Sequence, residues 1–191
     1  MRVILGSQSP RRRDILHSRG AKFEVFTADT DERCEITNPR DFVREVSKRK
    51  SQAIQKLCCE NDLIITADTV VAADGKILGK PRDKADCRRM ITLLQGHTHE
   101  VITGVTICYG DRTVFDCEVT KVTFRKMTES EIESYISTSE PYDKAGGYAV
   151  QGLAGEYITL VDGNYNNVVG LPDDLVEKMC IDLIGKSIFS N

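Results

Sequence analysis

Residues 3–16 read VILGSQSPRRRDIL, an apolar run followed by a short polar loop and the start of a helix. Pro10 suits the first helical position because its missing N–H needs no partner there. Ser9 suits the N-cap because its hydroxyl can accept a bond from a first-turn amide. Arg11, Arg12 and Arg13 then place three cations at the positive end of the helix dipole, which costs stability unless an anion binds.

Such a conflict with local stability is typical of a functional site. Free backbone amides, a positive dipole end and arginines are the groups that bind phosphate. The alternative is a solvated basic patch with no ligand. The strand–loop–helix context favours a phosphate-binding loop at residues 7–13.

Length and composition predict a single globular domain over residues 1–191. The net charge is −3, which gives no global basic field for a nucleic acid polymer or a membrane surface. No apolar run approaches the roughly 20 residues of a membrane-spanning helix. Without an apolar signal segment, and with seven scattered cysteines typical of reduced thiols, we expect a cytoplasmic protein.

Alternating strand and helix patterns predict an α/β fold in which helices flank a sheet. Strands are predicted at 2–5, 23–27, 63–71, 99–109, 113–125 and 157–161. Helices are predicted at 10–19, from 38 to about 57, 82–95, 128–138 and from about 172 onward. The glycine-rich segment 141–152 is predicted to be a loop that approaches a ligand.

Two charged residues interrupt apolar patterns. Lys50 lies on the apolar stripe of the second helix, so it is either a functional cation or a lysine that reaches solvent along its stem. Asp68 lies inside the apolar run 63–71, where an ionised carboxylate is costly unless it is paired or binds metal. The alternative is a strand that ends at Ala67 and leaves Asp68 in a solvated turn.

Other motifs are weaker. The Cys34-to-Arg40 spacing matches that of thiol phosphatases, but Glu35 would not lower a thiol pKa and no strand precedes the motif. His97 and His99 could share one strand face, but without a third metal ligand nearby a plain surface pair is favoured. What is left is a set of cations and isolated acids that supports a phosphate-ester or phosphoanhydride enzyme: Arg11 to Arg13, Lys50, Lys80, Lys144, Glu32, Asp68 and Asp143.

The chain resembles the Maf family of nucleoside triphosphate pyrophosphatases nearly from end to end. Eight blocks in order carry the resemblance, at residues 7–12, 31–32, 50, 67–71, 79–83, 99–104, 143–152 and 170–172. The resemblance implies a mixed twisted sheet flanked by helices, in an elongated two-lobed fold of the Maf and inosine-triphosphatase type with a central cleft. It also implies hydrolysis of a nucleoside triphosphate to the monophosphate and pyrophosphate, assisted by a divalent cation (Mg, Mn or Co).

The resemblance further implies roles for particular residues. Asp68 falls where the family places its proton acceptor, and Glu32 and Asp68 are the expected metal ligands. Substrate-binding positions are occupied by Ser7, Ser9, Arg12, Lys50 and Lys80. Specificity positions are occupied by Arg11, Thr69 and Gln151, which follow the branch that acts on dTTP and UTP. The other branch carries tryptophan at the first of these positions and prefers methylated guanine nucleotides.

Two alternatives stay open beside this interpretation. One is a non-catalytic nucleotide-binding regulator of cell division, against which the intact Asp68 and its surrounding cations argue. The other is a pyrophosphatase of modified or purine nucleotides, against which Arg11 and Gln151 argue. The expected partner is a nucleoside triphosphate, with no nucleic acid polymer and no membrane, and the sequence leaves open whether the chain forms a homodimer.

Overall fold

A computed structural model describes residues 1–190 and divides the chain into two compact units. Unit 1 comprises Met1–Asp68, Thr103–Glu118 and the segment that starts at Gly170. Unit 2 comprises Thr69–Ile102 and Val119–Val169. Both units are therefore assembled from separate stretches of the chain.

Within residues 1–190, seven strands form one mixed sheet, which confirms the predicted α/β class. The strands are β1 Val3–Gly6, β2 Glu24–Phe26, β3 Leu63–Ala73, β4 Lys76–Leu78, β5 Thr98–Tyr109, β6 Arg112–Phe124 and β7 Ile158–Asp162. Their order is β2-β1-β3-β5-β6-β7, and β4 pairs with β3. Strand β1 runs parallel to β2 and β3, whereas β4 and β7 run antiparallel to β3 and β6.

The helices are α1 Pro10–Ser18, α2 Pro39–Gln55, α3 Lys84–Leu94, α4 Glu129–Ile136, α5 Tyr165–Val169 and α6 Asp173–Ile184. Only α5 was not predicted, because five residues are too few for a periodic apolar pattern. Pro10 and Pro39 occupy the start of their helices as predicted. No helix within residues 1–190 is both long enough and apolar enough to cross a membrane.

Helix starts depend on which oxygen reaches the free amides. Asn38 caps α2, since its Oδ1 accepts from the backbone N–H groups of Arg40 and Asp41 at 3.0 and 3.2 Å. The prediction that the Ser9 hydroxyl caps α1 is wrong, because that side chain makes no capping bond. The backbone N–H of Ser9 instead donates to Ser7 Oγ at 3.2 Å.

Each unit has its own apolar core. In unit 1, β1, β3, α2 and β5 contribute Ile4, Ile64, Ile54 and Cys108 to one buried cluster. In unit 2, a larger cluster gathers residues of α3 and α4 with the aromatic rings of Phe124, Tyr135, Tyr148 and Tyr157. The predicted loop at 141–152 overlaps two short 3₁₀ turns, Glu140–Asp143 and Ala145–Gly147, and precedes a third at Leu153–Tyr157.

Candidate active site

The loop between β1 and α1 is tightly packed where it leaves the sheet. A Cβ atom on Gly6 would lie 2.6 Å from Thr66 Cγ2 and 2.9 Å from Ile54 Cγ1, so this position requires glycine. Ser7 follows, and its buried hydroxyl accepts from the Ser9 amide and from Arg12 Nη1, each at 3.2 Å. The loop conformation is therefore fixed by its own serine.

Arg12 braces this loop against two distant segments of unit 1. Its Nε donates to the carbonyl oxygen of Gly170 at 2.7 Å, and its Nη1 donates to the carbonyl oxygen of Ala67 at 2.9 Å. Burial lowers the pKa of Arg12 from its ordinary value, and the nearby Asp68 carboxylate opposes that shift. The partners of Arg12 thus include oxygens of Ser7, Ala67 and Gly170, while its contact with substrate stays a prediction.

Lys50 and Asp68 form the most buried ion pair of the site. Lys50 Nζ lies 2.7 Å from Asp68 Oδ1 and 2.9 Å from Glu32 Oε1. The side chains of Lys50 and Asp68 are 17% and 10% exposed, whereas Glu32 is 55% exposed. Strand β3 continues through Asp68 to Ala73, so the alternative of a strand ending at Ala67 is wrong. Lys50 binds two carboxylates and does not simply extend its stem to solvent.

A buried network of hydroxyl groups fixes α2 against β3 and β5 close to this pair. Thr66 Oγ1 donates to the carbonyl oxygens of Ser47 and Thr106 at 2.9 and 3.3 Å. The hydroxyls of Ser47 and Thr106 lie 2.8 Å apart. Ser47 is one helical turn before Lys50, and Thr66 is two residues before Asp68, so the network sets the register of the two charged groups.

Sequence reasoning missed this network. A sequence signal was present, since Ser47 and Ser51 are four residues apart on α2 and would share one helix face. Both serines are buried, and Ser51 Oγ lies 2.8 Å from Cys108 Sγ. Serines on the apolar face of a helix indicate partners on the facing strands, because a buried hydroxyl is costly without one.

Two carboxylates of unit 1, Glu32 and Asp68, converge on the Lys50 ammonium. Within residues 1–190 no group of three or more His, Cys, Asp or Glu side chains could hold a metal ion. Mg²⁺ typically binds one or two carboxylates and completes its shell with substrate phosphates and water. The pair therefore fits an ion that arrives with a phosphate ligand and does not fit an all-protein metal site.

Of the remaining predicted site residues, Arg11 lies on α1 in unit 1, whereas Thr69, Lys80 and Gln151 belong to unit 2. Lys80 and Gln151 are exposed. The segment of Gln151 is tied to that of Lys80, because the Gly146 amide donates to the carbonyl oxygen of Gly79 at 3.0 Å. A Cβ atom on Gly146, whose φ is +69°, would lie 2.8 Å from Val71 Cγ2, so this close approach requires glycine.

His99 is not on the surface, contrary to the plain surface pair with His97 that the sequence favoured. It is buried in unit 2, and its Nε2 lies 2.7 Å from the Tyr148 hydroxyl. Burial lowers the pKa of His99 to about 4. The residue is therefore a neutral part of the core at physiological pH, whereas His97, the other member of the pair, is exposed.

A family model and individual relatives of known sequence point to the same protein family. The family model described as Maf-like protein matches residues 2–183. A dTTP/UTP pyrophosphatase of Koribacter versatilis is 41% identical over 180 residues, which cover 94% of this chain and 93% of that protein. A dTTP/UTP pyrophosphatase of Lachnoclostridium phytofermentans is 42% identical over 193 residues, covering 95% and 97%.

A solved structure shows a similar fold at low sequence identity. The structure of a HAM1 protein from Coxiella burnetii has a TM-score of 0.51 and covers 97% of this chain and 99% of its own. The two chains are 9% identical, so this likeness concerns the fold alone.

Proposed function

Because the chain belongs to the Maf family, we propose that it hydrolyses nucleoside triphosphates to the monophosphate and pyrophosphate, with dTTP and UTP preferred. The observation that carries the proposal is the Lys50 ammonium bound to Asp68 and Glu32 at 2.7 and 2.9 Å. Two acids held by one partly buried cation, in the same unit as a basic loop, match the needs of phosphoanhydride hydrolysis.

Asp68 is the proposed general base. Its carboxylate is held by Lys50 through Oδ1 and by its place in a strand buried on both sides. A carboxylate has two oxygens, so one can hold the ammonium while the other accepts a proton from the attacking water. The rigid strand keeps that oxygen in a fixed direction.

The β1–α1 loop is the proposed phosphate-binding element. Ser7, Ser9 and the first amides of α1 supply hydrogen-bond donors, and Arg11 and Arg13 add charge. Arg12 keeps the loop in place through Gly170 and Ala67. Lys80 is assigned a further phosphate contact on the family resemblance.

We propose that Glu32 and Asp68 hold the divalent cation (Mg, Mn or Co). When bound, such an ion polarises the phosphoanhydride and offsets charge that develops on the leaving pyrophosphate. Lys50 keeps the two carboxylates together through its paired contacts. Its charge also limits the mutual repulsion of the two acids.

Gln151, Arg11 and Thr69 are the proposed specificity residues. Thymine and uracil present two carbonyl acceptors that flank one N–H donor, and a glutamine amide offers both a donor and an acceptor to that edge. A site built on such hydrogen bonds rejects bases that leave its groups unpaired. This supports a preference for dTTP and UTP over other nucleotides.

Pyrophosphate release across a nucleotide panel tests the proposal. We expect kcat/KM for dTTP and UTP to exceed that for ATP, GTP and CTP by at least about tenfold, which is about 1.4 kcal/mol of discrimination. A purine triphosphate as the best substrate would contradict the preference. Full activity after exhaustive EDTA treatment would contradict the metal.

A further inference from the structure

We propose that Arg49 is a positioning residue that holds Glu32 beside Lys50. Arg49 Nη1 donates to the backbone carbonyl oxygens of Asp31 and Arg33, at 3.2 and 2.9 Å. These two carbonyls flank Glu32 on either side. The inference rests on the proposed function, because that function gives Glu32 its role.

The segment that carries Glu32 has no regular secondary structure of its own. Residues 27–37, between β2 and α2, form neither helix nor strand. The Glu32 side chain is more than half exposed, so packing does not fix it. An irregular, exposed backbone segment stays ordered only where specific contacts hold it, because fixing each residue costs conformational entropy.

Arg49 is itself oriented by its own helix. Its Nε donates to Glu45 Oε1 at 2.7 Å, one turn earlier on α2. This bond fixes the plane of the guanidinium, so that Nη1 points at the two carbonyl oxygens. Three acceptors thus surround one planar group.

Arg49 and Lys50 are successive residues of α2 and act on the same segment. Arg49 binds its backbone on both sides of residue 32, and Lys50 binds the Glu32 carboxylate. The helix thereby fixes both ends of the glutamate. Displacement of either end would move a proposed metal ligand away from Asp68.

Asp31 and Arg33 also contact each other within the segment. Asp31 Oδ1 accepts from the backbone N–H of Arg33 at 3.0 Å, which closes a local turn. The side-chain ion pair between the same residues is largely in solvent, with Arg33 93% exposed, and exposed pairs contribute little. Arg49 therefore connects the backbone of the turn to α2, beside the Lys50 contact with the Glu32 side chain.

Two variants and a control test the inference. Arg49→Gln removes both the charge and the planar set of guanidinium donors. Arg49→Lys keeps the charge, but its ammonium cannot donate to three acceptors in one plane. Lys48→Gln is the matched control, since Lys48 is an exposed cation one position earlier on the same helix. The measurements are pyrophosphate release, thermal unfolding, and hydrogen exchange of amides 31–35 in the protein without nucleotide.

We expect both Arg49 variants to lower kcat/KM by about tenfold or more, because small misplacements of a site group have large kinetic effects. Amide exchange at 31–35 should rise in both, and the metal concentration for half-maximal activity should increase. Lys48→Gln should leave kcat/KM, amide exchange at 31–35 and the metal concentration for half-maximal activity at wild-type values. Unchanged exchange in Arg49→Gln would overturn the inference, as would wild-type kinetics in Arg49→Lys.

A double variant separates positioning from general stabilisation. If Arg49 acts through Glu32, then Arg49→Gln should add no further loss of activity in a Glu32→Gln background. Equal losses in both backgrounds would overturn the inference. Wild-type activity of Glu32→Gln alone would also overturn it, while pyrophosphate release by the wild-type protein tests the proposed function separately. Should Arg49→Gln fail to fold, Glu45→Met removes only the acceptor of Arg49 Nε and carries the same measurements, and unchanged exchange and kinetics in that variant would count equally against the inference.

Discussion

At the scale of single residues, the partly buried ammonium of Lys50 pairs with two acids of unequal exposure. Asp68 lies in a rigid strand, whereas Glu32 lies in an irregular segment. Loss of one acid therefore leaves Lys50 with a partner, but loss of Lys50 leaves a buried carboxylate without its cation. The two substitutions should consequently differ in their effect on folding.

Asp68→Asn should nearly abolish turnover while triphosphate binding survives. Glu32 still pairs with Lys50 in this variant, so we expect little change in the unfolding temperature. General bases typically contribute about 10²–10⁴-fold to the rate. Single-turnover pyrophosphate release and equilibrium nucleotide binding measure the two effects. A variant that keeps more than about a tenth of the wild-type kcat would show that Asp68 is not the base.

Lys50→Met should lower both activity and stability. If Lys50 were desolvated and unpaired, its replacement would leave the free energy of unfolding unchanged or raise it. Because Lys50 pairs with Asp68, we expect the replacement to lower that free energy instead. We expect a loss of about 1–3 kcal/mol in the free energy of unfolding, because a buried acceptor loses its partner. The Lys50→Met, Asp68→Asn double variant is the control and should recover part of that loss. Denaturant unfolding of the three proteins decides the point.

Local sequence signals predicted some of these residues and not others. Asp68 and Lys50 were found because each interrupts an apolar pattern at its own position. The partners of Arg12 were not found, because Ala67 and Gly170 are 55 and 158 residues away and contribute only backbone oxygens. Arg49 carried no signal either, since an arginine on a helix surface is ordinary.

At the scale of elements, the register of α2 on the sheet depends on the Ser47–Thr106 hydroxyl pair, 2.8 Å apart. Ser47→Ala should destabilise the protein by about 1–2 kcal/mol, because the Thr106 hydroxyl loses a buried partner. The Ser47→Ala, Thr106→Val double variant should be closer to wild type, since both partners then become apolar. Urea unfolding compares the three proteins. A double variant less stable than the sum of the single changes would contradict this account.

The elements themselves were largely predictable, with informative exceptions. Pro10, Pro39 and Asn38 mark helix starts by local chemistry, and the structure confirms them. The Ser9 cap is an exception: its hydroxyl makes no capping bond, and the Arg13 amide donates to the Ser9 backbone carbonyl instead. Strand β3 extends two residues beyond the predicted end because β4 returns antiparallel beside it.

At the scale of the whole molecule, pH should act on stability through His99. Its pKa is lowered to about 4 by burial, whereas an unfolded histidine titrates near 6.5. Between these values the unfolded chain binds a proton that the folded chain does not, so the free energy of unfolding falls as pH falls. The expected loss from this group approaches roughly 3 kcal/mol across the window.

Unfolding measured from pH 7 to pH 4.5 checks the His99 prediction. His99→Phe removes the titration, so its stability should depend less on pH over this range. His97→Gln is the matched control, because it removes an exposed imidazole two positions earlier in the chain. Equal pH slopes in wild type and His99→Phe would contradict the assignment.

The α/β class and family were predictable from pattern and resemblance, but the composition of the two units was not. Strands β3, β5 and β6 each contribute residues to both units. An apolar pattern indicates that a strand is buried, but it does not indicate in which of the two cores the strand is buried. The three-segment construction of unit 1 is therefore a property of tertiary packing.

The bond between Arg12 and Gly170 also bears on synthesis by the ribosome. The two residues are 158 positions apart, and the N-terminal one emerges first. Until Gly170 has been synthesised, the basic β1–α1 loop therefore lacks one of its braces. Closure over such a separation requires a long chain segment to be ordered first, which makes it a late event. The nascent polypeptide consequently acquires a fully braced β1–α1 loop only after Gly170 has left the exit tunnel.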